Sequence, residues 1–97
     1  MLITNSTKQS HLEYLNSVMD KGLELMERAP NNETFVIWHD YVKNTLQNIA
    51  YAIGNQDLVQ DYLSFMMSIM YLSPFEKFKM TIKKLLEYYR FIRDSNY

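Results

Sequence analysis

Three short breaks divide this chain into four stretches of helical periodicity. The first break holds Pro30, Asn31 and Asn32, the second centres on Gly54, and the third is the tetrapeptide SPFE at 73–76. Proline disfavours helical geometry in the preceding residue, glycine readily takes the left-handed conformation that closes a helix, and Ser-Pro-x-Glu combines an N-cap, an N1 proline and a capping-box glutamate. Together the breaks predict four helices, over about residues 7–29, 32–53, 55–71 and 73–94.

Apolar residues recur at intervals of three and four within these stretches, which is typical of helices whose side chains interlock. In the second helix this seam comprises Phe35, His39, Val42, Leu46, Ile49 and Ile53, with Trp38 beside it. In the fourth helix it comprises Phe75, Phe78, Ile82, Leu85, Tyr89 and Ile92. Four amphipathic helices with short joints predict an all-α fold, an antiparallel four-helix bundle.

Length and composition support one small helical domain. The chain has 97 residues, 47% of them hydrophobic, with only two glycines, two prolines and no cysteine. We expect a single domain over residues 1–97, flexible at 1–6 and frayed at 95–97, with a capping box formed by Ser6 and Gln9. No apolar run is long enough to span a bilayer and no signal-peptide pattern opens the sequence, so we expect a cytoplasmic protein.

The third helix is apolar over most of its circumference. Two neighbouring seams run along it, and only serines and aspartates form a polar stripe. Such a helix is covered on more than one side, either within the bundle, with methionines filling gaps, or by another chain. We expect a homodimer or partner interface here, at Tyr62, Leu63, Met66, Met67, Met70 and Tyr71. A surplus of tyrosines favours the same interpretation, with Tyr14, Tyr41, Tyr51, Tyr71, Tyr88 and Tyr97 expected at the surface.

The stretch VIWHDYV, at 36–42, places Trp38, His39 and Asp40 side by side. Successive helical residues point about 100° apart, so His39 and Asp40 diverge and cannot form an acid–base dyad with each other. His39 falls in the apolar seam, where a ring nitrogen is expected to bond a carbonyl or a tyrosine hydroxyl. The alternative is a buried switch, in which protonation of His39 tunes packing or assembly.

Other catalytic and metal-binding patterns are absent from the sequence. Neither His11 nor His39 has a glutamate three residues before it, as bundle metal sites require, and the serines lack the G-x-S-x-G context of a nucleophile. Gly22 and Gly54 are too far apart to cradle a phosphate. We therefore expect no enzymatic activity and no cofactor.

Positive charge concentrates in the fourth helix, since no Lys or Arg lies between Lys43 and Lys77. The residues that could contact nucleic acid are Lys79, Lys83, Lys84, Arg90 and Arg93. Lys83 with Glu87 and Arg90 with Asp94 are spaced to pair on the surface. Because the third helix has no basic residue, a helix-turn-helix arrangement is not favoured, and nucleic-acid binding through the fourth helix stays an alternative.

The segment from Phe35 to Phe65, with Trp38 early and Gly54-Asn55 late, resembles short helical segments of bacterial and phage-borne defence-related proteins. In architecture the chain is also similar to the four-helix bacteriocin immunity proteins. These resemblances, with the exposed aromatic and methionine side chains, lead us to expect a small protein-binding module. It would be an adaptor or inhibitor, encoded by a phage or mobile element and acting on a host protein, with a bacteriocin-immunity-like bundle as the alternative.

Overall fold

The computed structural model describes residues 8–95, and these residues form four α-helices. The helices are α1, Lys8–Arg28; α2, Asn32–Ile53; α3, Asp57–Ser68; and α4, Pro74–Asp94. No strand occurs in the described part of the chain, so the predicted all-α four-helix fold is confirmed. The predictions for residues 1–6, the capping box at Ser6, and the fraying of 96–97 lie outside the described residues. Ser95 itself is tied to α4, because its backbone N–H bonds the Ile92 carbonyl.

The predicted caps form at both ends of α2 and at the start of α4. The Asn31 side chain accepts a hydrogen bond from the Thr34 backbone N–H at 2.9 Å, which satisfies a donor in the first turn. Gly54 ends α2 with a φ of 70°, in the left-handed region that glycine adopts readily and residues with a side chain adopt rarely. The Ser73 hydroxyl accepts from the Glu76 N–H at 3.3 Å, with Pro74 at the first helical position. These contacts confirm the predicted bounds of α2 and, to within one residue, the predicted start of α4.

Helix α3 is shorter than the range 55–71 that the sequence predicts. At its start the Asn55 side chain accepts from the Asp57 N–H at 3.1 Å, so the helix begins at Asp57. At its end the Ile69 N–H bonds the Met66 carbonyl, a tighter i→i−3 contact that closes the last turn. The apolar pattern continues through this turn, which is why periodicity alone placed the end too late.

Long-range contacts define how the four helices are arranged. Lys8, at the start of α1, donates to the Arg93 carbonyl at the end of α4 at 3.0 Å, so these two helices run antiparallel. The rings of Phe35 and Phe78, both near the starts of their helices, lie 5.2 Å apart, so α2 and α4 run parallel. Helix α1 packs most extensively on α4, and α3 packs mainly on α2. The result is an elongated bundle of 42 × 24 × 19 Å.

Trp38 packs directly against the backbone of α1. Its indole N–H donates to the Val18 carbonyl at 3.0 Å, and the side chain is buried. Gly22 makes this approach possible, because a Cβ added there would lie 2.3 Å from the indole Cζ2 atom. The α1–α2 contact therefore depends on the close fit of the Trp38 ring against Gly22, which lies 16 positions earlier in the sequence.

The buried face of α4 differs in part from its predicted seam. Phe78, Leu85 and Ile92 are buried as expected, while Ile82 and Tyr89 are only half-buried. Phe75 is exposed, and it recurs with Ile82 and Tyr89 at intervals of seven, so all three lie along one edge of the buried face. The buried positions include Lys77, Thr81 and Tyr88 instead. Lys77 is accommodated because its ammonium group lies over the Phe35 ring, 5.7 Å from the centroid.

Candidate functional site

His39 forms a hydrogen-bonded pair with Tyr62. Its Nδ1 atom lies 2.7 Å from the Tyr62 hydroxyl oxygen, which joins α2 to α3. The imidazole stacks on the Phe35 ring at an interplanar angle of 8°, and the Tyr62 side chain is fully buried at 0% exposure. The predicted tyrosine partner for His39 is therefore present.

The surroundings of His39 and Tyr62 determine which of the two carries the proton in their hydrogen bond. Burial raises the pKa of the Tyr62 phenol, so the phenol stays protonated, and burial lowers the pKa of His39, with the Lys43 charge acting in the same direction. A buried O–H without an acceptor is costly, so we assign the Tyr62 hydroxyl as donor and His39 Nδ1 as acceptor. Protonation of His39 would remove that acceptor.

A second tyrosine pair links α3 to α4. The Tyr88 hydroxyl donates to Asp61 Oδ2 at 2.5 Å, and Lys84 Nζ lies 3.3 Å from the same oxygen. The Tyr88 hydrogen bond, and with it the Lys84 contact, lowers the pKa of Asp61, whereas burial raises the pKa of Tyr88. The Lys84 ammonium group also lies over the Phe65 and Tyr88 rings. This cluster holds α3 and α4 together across the bundle.

One sequence prediction is wrong at this cluster. Tyr88 is buried, with 6% of its surface exposed, because its hydroxyl bonds Asp61. Lys84, one of the predicted nucleic-acid contacts, has a side chain that is 22% exposed and pairs with Asp61 and Glu87. Sequence reasoning missed the cluster because its members lie on different helices, and neither spacing nor periodicity relates Asp61 to Tyr88.

The six predicted interface residues of helix 3 separate into two groups. Tyr62 and Met66 are buried within the chain, packed in its core, so the prediction that they face a partner is wrong. Met67, Met70 and Tyr71 are 79%, 60% and 84% exposed, and Leu63 is half-buried beside them. Leu63 and Met67 lie four residues apart on α3, and Met70 and Tyr71 lie in the turn that follows Ser68. We call these four residues the α3 patch.

The surroundings of the α3 patch carry little charge. The polar residues among and next to its members are Ser64, Ser68 and Ser73, and the Ser68 hydroxyl is used internally, donating to the Phe65 carbonyl at 2.6 Å. The aspartates of α3, Asp57 and Asp61, lie in its first half. The patch is therefore an apolar surface with an uncharged border on its own helix.

The remaining basic residues predicted for nucleic-acid contact form one exposed row on α4. Lys79, Lys83, Arg90 and Arg93 follow one another at intervals of four, seven and three, with exposed Leu86 in the gap. We call these four basic residues the α4 row. The predicted pairs Lys83–Glu87 and Arg90–Asp94 are replaced by Lys84–Glu87 and Arg93–Asp94, at 3.5 and 3.0 Å. Lys83 and Arg90 form no ion pair with any described residue.

The surface tyrosines agree in part with the sequence prediction. Tyr14, Tyr41, Tyr51 and Tyr71 are exposed, Tyr88 is buried, and Tyr97 lies outside the described residues. Four tyrosines thus present an apolar ring with a polar tip to their surroundings. Of these, Tyr71 belongs to the α3 patch.

The hydrogen bonds of His39 with Tyr62 and of Tyr88 with Asp61 join helices to one another. His39 has its Nδ1 engaged by a fully buried phenol, and within residues 8–95 no cluster of three His, Asp or Glu side chains could hold a metal ion. Among those residues no helix is both long and apolar enough to cross a membrane.

The class that these observations define is a four-helix bundle with an apolar surface patch and a basic helix. Comparison of the chain with protein-family models, curated proteins and solved structures found no match.

Proposed function

We propose that this chain is a small helical protein-binding module, an adaptor or inhibitor, that self-associates through the α3 patch. The observation that carries the proposal is the exposure of Met67, in the last turn of α3, together with Met70 and Tyr71 in the turn that follows it. Apolar side chains scattered singly over a surface need no explanation, but neighbouring ones often mark an interaction site. Methionine suits such a site because its flexible thioether adapts to the partner's surface.

A second copy of the chain is the partner that the patch fits best. In a two-fold dimer the same patch meets itself, so any net charge on it would repel its symmetry mate. The α3 patch and its serine border carry no charge, so this repulsion is absent.

The size of the α3 patch sets the expected strength of the dimer. Four side chains of this size and exposure present on the order of 500 Å², which is near the upper end for the largest patch of an ordinary monomer. A dimer would then bury about 1,000 Å² in total, at the low end for specific interfaces. We therefore expect a weak, reversible dimer.

Sedimentation equilibrium of the purified chain tests the proposal. The wild type should move from monomer towards dimer as the concentration rises to about 1 mM, the range in which a small interface forms. The Met67→Glu/Met70→Glu double variant should stay monomeric, because it places four carboxylates in the shared interface. A wild type that is monomeric throughout would refute self-association.

A matched control separates the patch from a general effect of added charge. Tyr14→Glu/Val36→Glu changes net charge equally at two side chains that are 61% and 60% exposed, on α1 and α2. This variant should dimerise like the wild type. Equal loss of dimer in both double variants would mean that net charge, rather than the α3 patch, governs association.

Nucleic-acid binding along the α4 row is the second candidate function. The observation that favours it is the alignment of four exposed basic side chains on one helix, three of them without an ion pair among the described residues. Cations aligned in this way can contact successive phosphates, and the binding should weaken as salt rises.

Fluorescence anisotropy with labelled single-stranded RNA and duplex DNA at low salt tests this second function. Lys83→Glu and Arg90→Glu should each weaken binding, whereas Lys21→Glu, the same charge change on α1, should have a smaller effect. Absence of binding at low salt, or equal loss in all three variants, would dismiss the α4 row as a nucleic-acid interface.

A further inference from the structure

A groove runs between α1 and α2, away from the helices that carry the α3 patch and the α4 row. Its volume is about 450 Å³. Val18, Leu25 and Trp38 line its apolar part, and Ile37 and Tyr41 on α2 form one wall. The last two side chains are 66% and 63% exposed, so this wall presents unpartnered apolar surface.

The base of the groove is apolar because its polar atoms are already bonded. Trp38 contributes an indole ring whose N–H donates to the Val18 carbonyl. Gly22 permits this by leaving room for the ring against α1. Because Val18 and Trp38 are themselves buried, the apolar surface open to a ligand comes mainly from Ile37 and Tyr41, and it favours apolar side chains.

The opposite wall of the groove, on α1, carries two carboxylates, of which one is paired with cations. Asp20, Lys21 and Glu24 line it, but Lys21 is tied to Glu24 at 3.0 Å, and Arg28 reaches the same carboxylate at 3.6 Å. Asp20 forms no ion pair with any residue of the described part. One carboxylate is therefore left for a cation on whatever enters the groove.

We propose that the groove binds a cationic amphipathic helix of a partner protein, with apolar side chains against Ile37 and Tyr41, next to the buried Trp38 ring, and a Lys or Arg beside Asp20. From Val18 to Leu25 the α1 wall extends about 10 Å, or two helical turns. A helix presenting apolar residues at intervals of three and four matches a groove of this length between two helices. The inference is independent of the dimer, since it uses other helices.

The test uses a synthetic peptide of about 14 leucines and lysines arranged as an amphipathic helix, a length at which helices begin to be stable in water. Trp38 is the only tryptophan of the chain, so its fluorescence reports on the groove directly. A saturable change in Trp38 emission is expected on titration. Amide chemical-shift changes should map to residues 17–25 and 37–41.

Variants of the protein and the peptide separate the two parts of the proposal. Tyr41→Ser should weaken binding by about 10-fold, as loss of a buried aromatic contact does. Asp20→Lys, and glutamates replacing the peptide's lysines, should each weaken it by about 3- to 5-fold, as expected for an exposed ion pair. Met67→Ser, in the α3 patch, should leave peptide affinity unchanged.

Three results would overturn the proposal. The first is absence of saturable binding, and the second is equal binding of the lysine and glutamate peptides. The third is chemical-shift change centred on the α3 patch or α4 rather than the groove. Because the readout is peptide binding by a chain of any oligomeric state, loss of the dimer in sedimentation experiments would leave this result unaffected.

Discussion

The α1–α2 hairpin buries its large aromatic side chain Trp38, whereas helix α3 leaves the apolar side chain of Met67 exposed. In the hairpin, Trp38 is almost fully covered and fits against a glycine of the facing helix. Helix α3 has only 12 residues, buries Leu58, Val59, Tyr62 and Met66 on one side, and leaves Met67 exposed on another. A short helix with apolar residues on most sides has more such surface than its neighbours can cover.

This contrast suggests where stability and association reside. Substitutions at the fitted hairpin contact should change the free energy of unfolding, because they alter close packing inside the chain. Substitutions in the α3 patch should leave that free energy nearly unchanged and alter assembly instead.

Truncation of the tryptophan should have the largest effect. Trp38→Ala should lower the free energy of unfolding by about 4 kcal/mol, because it leaves a cavity between α1, α2 and the Phe78 ring. Urea denaturation followed by circular dichroism measures this without the tryptophan signal. A loss below about 1 kcal/mol would mean that the hairpin contact contributes little to the fold.

The two glycines provide the next test, because they are constrained for different reasons. Gly22→Ala should lower the free energy of unfolding by about 2 kcal/mol, because the new methyl group overlaps the Trp38 indole ring. This overlap outweighs the higher helix propensity of alanine. Gly54→Ala should cost about 1 kcal/mol through its left-handed backbone, because nothing lies near its Cβ position. The same urea titrations compare them. An unchanged or increased stability of the Gly22 variant would contradict the fitted contact.

Removal of one buried hydroxyl should have a smaller effect. Tyr62→Phe should cost about 1 kcal/mol, because it removes the hydrogen bond to His39 and leaves the imidazole Nδ1 without its donor. Tyr89→Phe is the matched control, since the half-buried Tyr89 hydroxyl has no hydrogen-bond partner among residues 8–95. Equal stabilities of the two variants in urea would show that the His39–Tyr62 bond contributes nothing net.

The same pair predicts how stability depends on pH. Burial lowers the pKa of His39 in the folded chain below its ordinary value of 6.5, so the unfolded chain takes up the proton more readily. The free energy of unfolding should therefore fall as pH drops from 6.5 towards the folded pKa, and be constant above that range. The pKa of buried His11 is lowered as well and contributes in the same direction.

His39→Asn separates the two histidines, because the asparagine Oδ1 atom lies where the histidine Nδ1 atom does and can accept from Tyr62, but asparagine does not titrate. Its stability should decline less than that of the wild type between about pH 6.5 and 5. Asp61, whose pKa is lowered by Tyr88, loses its contribution only below its ordinary value of 3.8. A decline that is identical in wild type and variant would exclude His39 as its source.

Much of the fold could be predicted from local signals. The caps at Asn31, Gly54 and Ser73 act through neighbouring backbone groups, so sequence spacing locates them, and the predicted bounds of α2 agree with the structure. The end of α3 could not be placed in this way, because its apolar residues continue into a turn that hydrogen bonds close at Ile69.

The candidate sites were less predictable, because they depend on which residues of different helices meet. The sequence suggested a tyrosine partner for His39 but not that Tyr62 would be that partner and lie fully buried. The fit of Gly22 to Trp38, the pairing of Lys84 with Asp61, and the burial of Tyr88 all require helix register and crossing geometry. Periodicity marks the apolar side of a helix without identifying its neighbour.

The smallest effects on stability should come from the α3 patch. Met67→Ser and Met70→Ser should each change the free energy of unfolding by no more than about 0.5 kcal/mol, because both side chains are exposed in the single chain. Urea denaturation at low protein concentration, where the monomer prevails, measures this. A loss of several kcal/mol would mean that the patch belongs to the core.

The most direct test of the α3 patch as an association surface is a concentration series of methyl NMR spectra on protein labelled at the methionine methyl groups. The methyl resonances of Met67 and Met70 should shift progressively as the concentration rises, while those of the buried Met19 and Met66 stay in place. Spectra that do not change with concentration, or that change equally at all four methyl groups, would contradict the account.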